Sequence, residues 1–133
     1  MIWVDVGGTK ILAGLVDRAG SIVCTVEHET PTESEDAILA GIGAAIRQLV
    51  DGGAQAIGLG VPCNLDPVTG VTHRATNLPL DDVDLGRWAR DEFGLPVGVE
   101  NDGNAAALAE WRFGAGRGAR DLVMLTLGTG IGG

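Results

Sequence analysis

The sequence has few basic residues, and this scarcity excludes several classes of function. Lys10 is the only lysine among 133 residues, and lysine plus arginine number 9 against 18 aspartates and glutamates. The formal net charge is −9, whereas a nucleic-acid surface needs clustered lysine and arginine to neutralise phosphates. Because Lys10 follows Thr9, the Gly-Lys-Ser/Thr run of a P-loop is also absent. We therefore expect no nucleic-acid partner.

Serine, cysteine and long apolar runs are also scarce. The two serines, Ser21 and Ser34, lie outside any Gly-x-Ser-x-Gly nucleophile elbow. The two cysteines, Cys24 and Cys63, are too few for a disulfide framework and suit a reducing compartment, so we expect a cytoplasmic location. No apolar stretch approaches the roughly 20 residues that span a bilayer, and no signal-peptide pattern is visible, so we expect no membrane partner.

Glycine and apolar residues are abundant instead. Hydrophobic residues make up 45% of the chain, and glycine supplies 22 residues without a collagen period. This composition and length predict one globular domain with a single core.

Short apolar segments separated by turns predict an α/β fold. The first three, Ile2–Val6, Lys10–Asp17 and Ser21–His28, predict a three-stranded antiparallel meander. Alternating helices and strands are expected to follow. The next predicted elements are a helix from a Thr32–Glu35 capping box to Gly52, a strand at Gln55–Gly60 and an irregular segment at 61–83. The last are a helix at Asp84–Phe93, a strand at Pro96–Glu100, a helix at Asp102–Trp111 and a strand at Asp121–Leu127.

The turn between the first two strands is a candidate phosphate site. It carries Asp5, Gly7, Gly8, Thr9 and Lys10. Glycines let the backbone turn tightly and present N–H groups to a phosphate oxygen, and Asp5 could hold Mg²⁺ through water. A plain Gly-Gly hairpin turn with nothing bound is an equally good interpretation of this segment alone.

A second glycine-rich segment closes the sequence. Like the first turn, it is a predicted strand followed by glycines that leave the backbone N–H groups accessible. It predicts phosphate contacts at Gly128, Thr129, Gly130 and Gly132. The segment also satisfies Gly-x-Gly-x-x-Gly, the fingerprint of dinucleotide-binding proteins. That fingerprint is a weak signal by itself, and an antiparallel meander does not fit the start of a Rossmann fold.

Polar side chains gather where the strand before Asp102 ends. Asn101 and Asp102 are expected at a sheet edge, where α/β folds bind ligands, and a carboxylate there can accept a proton from a substrate hydroxyl. Asp102 could instead be a plain helix N-cap, which this segment alone favours. Asn64 and Asn77 offer paired donors and acceptors that suit a sugar, although asparagine is also common in turns.

Together these segments resemble the ROK family (repressor, open reading frame, kinase), especially its bacterial glucokinases. The resemblance covers nearly the whole chain, and its strength lies in the order and spacing of the motifs. The motifs are DVGGTK at 5–10, IGLGVP at 57–62, VTG at 68–70, NLP at 77–79 and LPVGVENDGNAAALAEWRFGAGRGARDLVMLTLGTGIGG at 95–133.

The resemblance implies an actin-like ATPase fold with two ribonuclease-H-like lobes and a cleft between them. Residues 1–119 would be the N-terminal lobe, and residues 120–133 would be the truncated start of the second. We therefore expect a longer natural protein, a homodimer when complete. ATP and Mg²⁺ are the implied cofactors, with ATP bound between Asp5–Thr9 and Gly128–Gly132.

The resemblance also implies a mechanism. Asp102 would be the catalytic base, and Asn77, Asn101 and Asp102 would contact the sugar. Asp102 would take the proton from the 6-hydroxyl of a hexose, by resemblance glucose, and that oxygen would attack the γ-phosphate of Mg-ATP. The glycine-rich turns and Mg²⁺ would stabilise the charge on the transferring group.

The sequence departs from the family pattern at two positions. Cys63 stands where the family has glycine, and Gly103 stands where it has alanine or valine. The family's later sugar segment, its structural zinc site and its adenosine pocket would lie beyond Gly133. We therefore expect this chain alone to be inactive.

Two other classes stay open. A ROK transcriptional regulator senses sugar and carries a winged helix ahead of the DxGGT segment, which here begins at Asp5 and is expected to leave no room for one. A Rossmann-type dinucleotide binder would depend on the last glycines alone. Among kinases, mannose, fructose, allose and N-acetylated amino sugars stay open beside glucose.

Overall fold

A mixed five-stranded sheet with helices packed against it organises the chain. The structure, a computed structural model, describes residues 1–66, 68–75, 77–127 and 131–132. In chain order the elements are β1 (Ile2–Val6), β2 (Lys10–Val16), β3 (Ile22–Glu29), α1 (Glu35–Val50), β4 (Ile57–Val61), β5 (Cys63–Leu65), β6 (Thr72–Ala75), α2 (Leu85–Phe93), β7 (Val97–Asn101), α3 (Asp102–Phe113), β8 (Thr126–Leu127) and β9 (Ile131–Gly132).

The five-stranded sheet has the order β3-β2-β1-β4-β7. The pairs β1–β2 and β2–β3 are antiparallel, which confirms the predicted meander. The pairs β1–β4 and β4–β7 are parallel. Because parallel strands run in the same direction, the carboxyl ends of β1, β4 and β7 meet at one edge of the sheet.

The core lies between this sheet and α1. Alternate residues of β1 (Ile2, Val4 and Val6) are fully buried, as expected for a strand with one face on a core. The predicted apolar face of α1 is confirmed, because Ile38 and Ile42 are also fully buried. Each such side chain contributes about 1.5–3 kcal/mol on burial. None of the helices in the described ranges has the length and apolar character needed to cross a membrane.

The predicted capping box at Thr32–Glu35 is wrong, because the N-cap of α1 lies two residues later. Ser34 is the N-cap, in extended conformation (φ −162°, ψ 164°), and its Oγ accepts the Ala37 N–H at 3.1 Å. The acidic residues Glu35 and Asp36 then lie in the first turn, where they interact favourably with the helix dipole.

The segment predicted to be irregular contains a small hairpin. β5 pairs with β6 in antiparallel register, with Cys63 opposite Ala75. Asp66 closes the turn, since its Oδ1 accepts the N–H groups of Val68 at 2.8 Å and Thr69 at 2.7 Å. The two strands have only three and four residues, which is too short for an alternating pattern to stand out.

A buried hydroxyl anchors the loop that follows this hairpin. Thr72 is fully buried, and its Oγ1 accepts the Val83 N–H at 3.0 Å and lies within hydrogen-bonding distance of the Leu80 carbonyl. The Thr72 N–H donates to the Val83 carbonyl at 3.0 Å. These bonds hold residues 78–83 against the core, where Leu80 is fully buried.

The strand predicted at Asp121–Leu127 is mostly absent. Only Thr126–Leu127 is a strand, and it pairs with β9. Val123 is 87% exposed and Leu125 is 68% exposed. Residues 121–125 have no partner strand in the described part of the chain, and a strand is stabilised only through its ladder. The boundary between residues 119 and 120 stays a prediction.

Replacing Ser34 with alanine tests the corrected helix start. We expect Ser34→Ala to lower the free energy of unfolding by about 1 kcal/mol, since one amide of the first turn loses its acceptor. Thr32→Ala is the matched control and should change it by less than about 0.5 kcal/mol. Urea denaturation measures both. A larger loss for Thr32→Ala would restore the capping box.

Candidate functional site

The edge where the three parallel strands end brings the predicted site residues together. In the strand registers, Asp5 lies opposite Gly60, and Gly60 lies opposite Glu100. Gly60 has no side chain, and the backbone of Asp102 packs over it: a Cβ on Gly60 would lie 3.8 Å from the Asp102 Cα. Asp102 therefore lies over β4, the middle strand. Each neighbouring strand carries a carboxylate in the same row, Asp5 on β1 and Glu100 on β7.

The interpretation of Asp102 as a helix cap is wrong, because Asn101 has that role. The Asn101 Oδ1 accepts the Asn104 N–H at 3.1 Å. The Asn101 Nδ2 donates to the Cys63 carbonyl at 3.2 Å, which ties the start of α3 to β5. Asp102 is the first residue of α3, is exposed, and accepts the Gly103 N–H at 2.7 Å. Its carboxylate lies at the positive end of the helix dipole.

Electrostatic effects show that three groups lie close together. Burial raises the pKa of Asp5, and the negative charge of Asp102 raises it further. Burial and the same Asp102 charge raise the pKa of the Cys63 thiol to about 11. Asp102 therefore acts on residues from two other strands, as expected if the sheet edge is one site.

The two neighbouring carboxylates suit a hydrated magnesium ion. Asp5 is harder to ionise because Asp102 is close, and a divalent cation would relieve that repulsion. Within the described ranges, no group of three or more histidine, cysteine, aspartate or glutamate side chains forms a metal cluster. Asp5 and Asp102 could hold Mg²⁺ through water, with a phosphate supplying other ligands.

An open cavity of about 1010 Å³ lies beside the start of α3. Asn101 and Asp102 line it together with Cys63, Asn64 and Asn104. Amide and carboxylate groups supply both donors and acceptors, which a hydroxyl-rich ligand needs. Cys63, one of the two departures from the family pattern, is 4% exposed and forms part of the wall.

The candidate phosphate turn is a tight hairpin turn tied to β3. The Gly7 N–H donates to the Lys10 carbonyl at 2.8 Å, so it is used within the turn. Thr30, which follows β3, donates two hydrogen bonds to the turn. Its Oγ1 donates to the Gly7 carbonyl at 2.7 Å, and its N–H donates to the Thr9 carbonyl at 3.0 Å. The Lys10 Nζ pairs with Glu27 Oε1 at 2.7 Å. The phosphate role of the turn stays a prediction.

The two glycines of this turn differ in the space that the fold leaves for a side chain. A Cβ on Gly7 would lie 3.0 Å from the Lys10 carbonyl oxygen, so the turn itself requires glycine there. A Cβ on Gly8 would meet nothing within 4 Å in the described part of the chain. The fold gives no packing reason for Gly8.

The remaining predicted site residues are Asn77 and the glycine-rich segment that closes the sequence. Asn77 is exposed and left-handed (φ 70°), and it does not line the cavity. Gly128, Thr129 and Gly130 lie outside the described residues, and Gly132 ends β9. Their predicted contacts stay predictions.

Two parts of the site were missed by sequence reasoning. Thr30 closes the hairpin turn across 23 residues of sequence, and no local pattern marks such a contact. Glu100 and Asn104 hold the start of α3 through a hydrogen bond of 3.1 Å. The sequence carried a signal for this contact. Asn104 lies three positions after the cap Asn101, as in a capping box, but the acidic residue Glu100 lies one position before the cap.

Comparison with known proteins identifies the fold and the family. A ROK family glucokinase structure from Streptomyces griseus, in complex with glucose and AMPPNP, aligns with a TM-score of 0.92 at 41% identity, over 99% of this chain and 42% of that chain. The chain has the actin-like ATPase fold, in its ribonuclease-H-like lobe, as predicted. The ROK family model matches residues 1–133, and the chain belongs to the ROK family.

Curated relatives include kinases of different sugars. The glucokinase of Streptomyces coelicolor is 41% identical over 133 residues, which cover 99% of this chain and 42% of the relative. The β-glucoside kinase of Listeria monocytogenes is 37% identical over 130 residues, which cover 97% of this chain and 44% of the relative. The chain therefore spans less than half the length of these relatives.

The raised pKa of Asp5 makes the stability of the chain depend on pH. The folded state binds this proton more tightly than the unfolded state, so charged Asp5 costs stability above its folded pKa, and the cost vanishes below the unfolded pKa near 3.8. Asp5→Asn should therefore raise the free energy of unfolding at pH 7, and the gain should shrink as the pH falls towards 3.8.

Urea denaturation at pH 7 and at pH 3.5 measures this gain. In an Asp102→Asn background the gain should be smaller, because Asp102 supplies the second cause of the shift. An equal gain at both pH values would mean that it comes from packing and not from ionisation.

Proposed function

We propose that this chain is the N-terminal lobe of an ATP-dependent hexose kinase that phosphorylates a 6-hydroxyl, with glucose as the first candidate substrate. Residues 1–119 form the lobe in this proposal, and residues 120–133 begin the second. The observation that carries the proposal is the Asp102 carboxylate, which lies on the wall of a polar cavity while Asn101 caps the helix. The similarity to glucokinases supports the same activity.

Asn101 is suited to orient a sugar hydroxyl. Its Oδ1 accepts one protein hydrogen bond and its Nδ2 donates one. A side-chain amide can accept two and donate two, so one acceptor and one donor position are left over for a ligand by the described residues. The existing hydrogen bonds fix the orientation of the Asn101 amide, which limits the conformational entropy lost when the sugar binds.

Asp102 would act as the general base. An ionised carboxylate at hydrogen-bonding distance from the 6-hydroxyl can take its proton as the oxygen attacks the γ-phosphate of ATP. The proton moves from the sugar oxygen to the Asp102 carboxylate, and the phosphoryl group moves from ATP to the sugar.

Asp5 and the hairpin turn would bind the phosphates. Asp5, with Asp102 nearby, fits Mg²⁺ held through water, and the ion would supply positive charge at the phosphates. Gly8, Thr9 and Lys10 are exposed at the same end of β1. The nucleotide would then lie between this turn and the glycine-rich segment at 128–132.

Replacing Asp102 with asparagine tests the proposed base. We expect Asp102→Asn to lower kcat by about 10²–10⁴-fold, the usual contribution of a general base, and to leave sugar binding largely intact. The complete reading frame that contains this chain should be used, with an ADP-release assay, Mg-ATP and a panel of hexoses. Asp91→Asn, an exposed carboxylate of α2 that pairs with Arg87, is the matched control.

The outcomes separate two classes of protein. Turnover of one or two hexoses that is lost in Asp102→Asn and kept in Asp91→Asn supports the kinase and names its substrate. Sugar binding without turnover of any hexose in the wild-type protein would identify a sugar sensor, as in a regulator. Normal turnover in Asp102→Asn would refute the proposed base.

The two turn glycines test the phosphate site. Gly8→Ala should change the free energy of unfolding by less than about 0.5 kcal/mol, because its Cβ meets open space. The same Cβ would stand between the backbone N–H groups and a phosphate, so KM for ATP should rise by about tenfold, equal to about 1.4 kcal/mol. Gly7→Ala is the contrasting variant and should lose about 1–3 kcal/mol of stability. An unchanged KM in Gly8→Ala would contradict the site.

A further inference from the structure

The start of α3 is held by one more side chain than an ordinary helix cap uses. Glu100, the residue before the cap, turns its carboxylate back onto the helix. Its Oε1 accepts the Asn101 N–H at 2.9 Å and also accepts from Asn104 Nδ2 at 3.1 Å. The backbone N–H of Asn104 in turn donates to Asn101 Oδ1 at 3.1 Å.

These three residues form an expanded capping box. In the usual box, the cap side chain binds the backbone of the residue three positions on, whose side chain reaches back to the cap N–H. Here the Asn104 side chain does not bind the cap N–H directly. The Glu100 carboxylate accepts both groups instead, and it closes the ring of hydrogen bonds around Asp102 and Gly103.

These hydrogen bonds contribute more to the geometry of the site than to the stability of the fold. Glu100 and Asn104 are exposed, and hydrogen bonds between exposed groups add little net stability. No residue of α3 is buried. Both side chains line the cavity with Asn101 and Asp102. The ring therefore fixes residues that line the cavity.

We infer that Glu100 is a positioning residue, which orients Asn101 and Asp102 through the Asn101 N–H and the Asn104 side chain. The inference rests on the proposed kinase function. Glu100 acts as a hydrogen-bond acceptor, and it neither takes the substrate proton nor supplies a required charge. A neutral side chain of the same shape should therefore replace it.

Glu100→Ala and Glu100→Gln separate this role from a charge effect. In the complete protein, Glu100→Ala should lower kcat/KM for the sugar by about tenfold or more, since small displacements of catalytic groups cost rate steeply. Glu100→Gln keeps an acceptor oxygen and should stay within about threefold of the wild type. Glu110→Ala is the matched control: it removes a carboxylate of α3 that accepts the Ala115 N–H at 2.9 Å, away from the cavity.

Equal losses in Glu100→Ala and Glu100→Gln would overturn the inference, because they would mean that the negative charge itself is needed. A wild-type kcat/KM in Glu100→Ala would overturn it as well. Thermal unfolding of each variant shows whether a loss of activity comes from a loss of folded protein.

Amide hydrogen exchange tests the same inference without turnover. The Asn101 and Asn104 amides should exchange faster in Glu100→Ala than in the wild type and should be restored in Glu100→Gln. Unchanged exchange in Glu100→Ala would overturn the positioning role. Absence of hexose turnover in the wild type would refute the proposed function alone, and the exchange comparison would still decide the role of Glu100.

Discussion

The site is organised around the close approach of α3 to Gly60, the glycine in the middle of the three parallel strands. Strand pairing puts Asp5 and Glu100 in the same row on either side of it. A side chain at Gly60 would point at the backbone of Asp102, whose Cα would lie 3.8 Å from the new Cβ. The close approach of α3 to the sheet lets the charge of Asp102 reach Asp5 and Cys63.

The concentration of negative charge at this edge is the main electrostatic feature of the structure. Asp5, Glu100 and Asp102 lie at one end of the sheet in a chain whose net charge is already −9. Such an arrangement opposes a bare anionic nucleotide and favours one that arrives with a cation. The N-terminus of α3 offsets part of the repulsion. In the proposed kinase, these opposing effects act where the base lies beside the phosphate site.

Much of the fold could be predicted from the sequence, because its main elements have strong local patterns. Three β-branched segments gave the meander, and the spacing of Ile38, Ile42 and Ile46 gave the buried face of α1. The β5–β6 hairpin was missed because strands of three and four residues show no clear alternation. Its anchor, Thr72, binds residues 8 and 11 positions away, so its role appears only in the folded chain.

The sequence placed Asn101 and Asp102 together at this edge of the sheet, but it did not show which of them caps α3. Asn101 and Asp102 are both common N-cap residues, and only the geometry of the helix start decides between them. At α1 the Thr-x-x-Glu pattern predicted Thr32 as the cap, whereas Ser34 has that role. The bond from Asn101 to the Cys63 carbonyl spans 38 residues, so no local pattern reports it.

The protonation state of the Cys63 thiol affects how readily the cavity wall reacts with oxidants and alkylating reagents. Peroxides and alkylating reagents attack the thiolate and not the thiol. With a pKa of about 11, this sulfur is almost entirely protonated at neutral pH. Burial, and after it the charge of the carboxylate that is proposed to take the proton from the sugar, therefore favours the unreactive form of this thiol. The raised pKa therefore lowers the reactivity of a cysteine on the cavity wall towards oxidants.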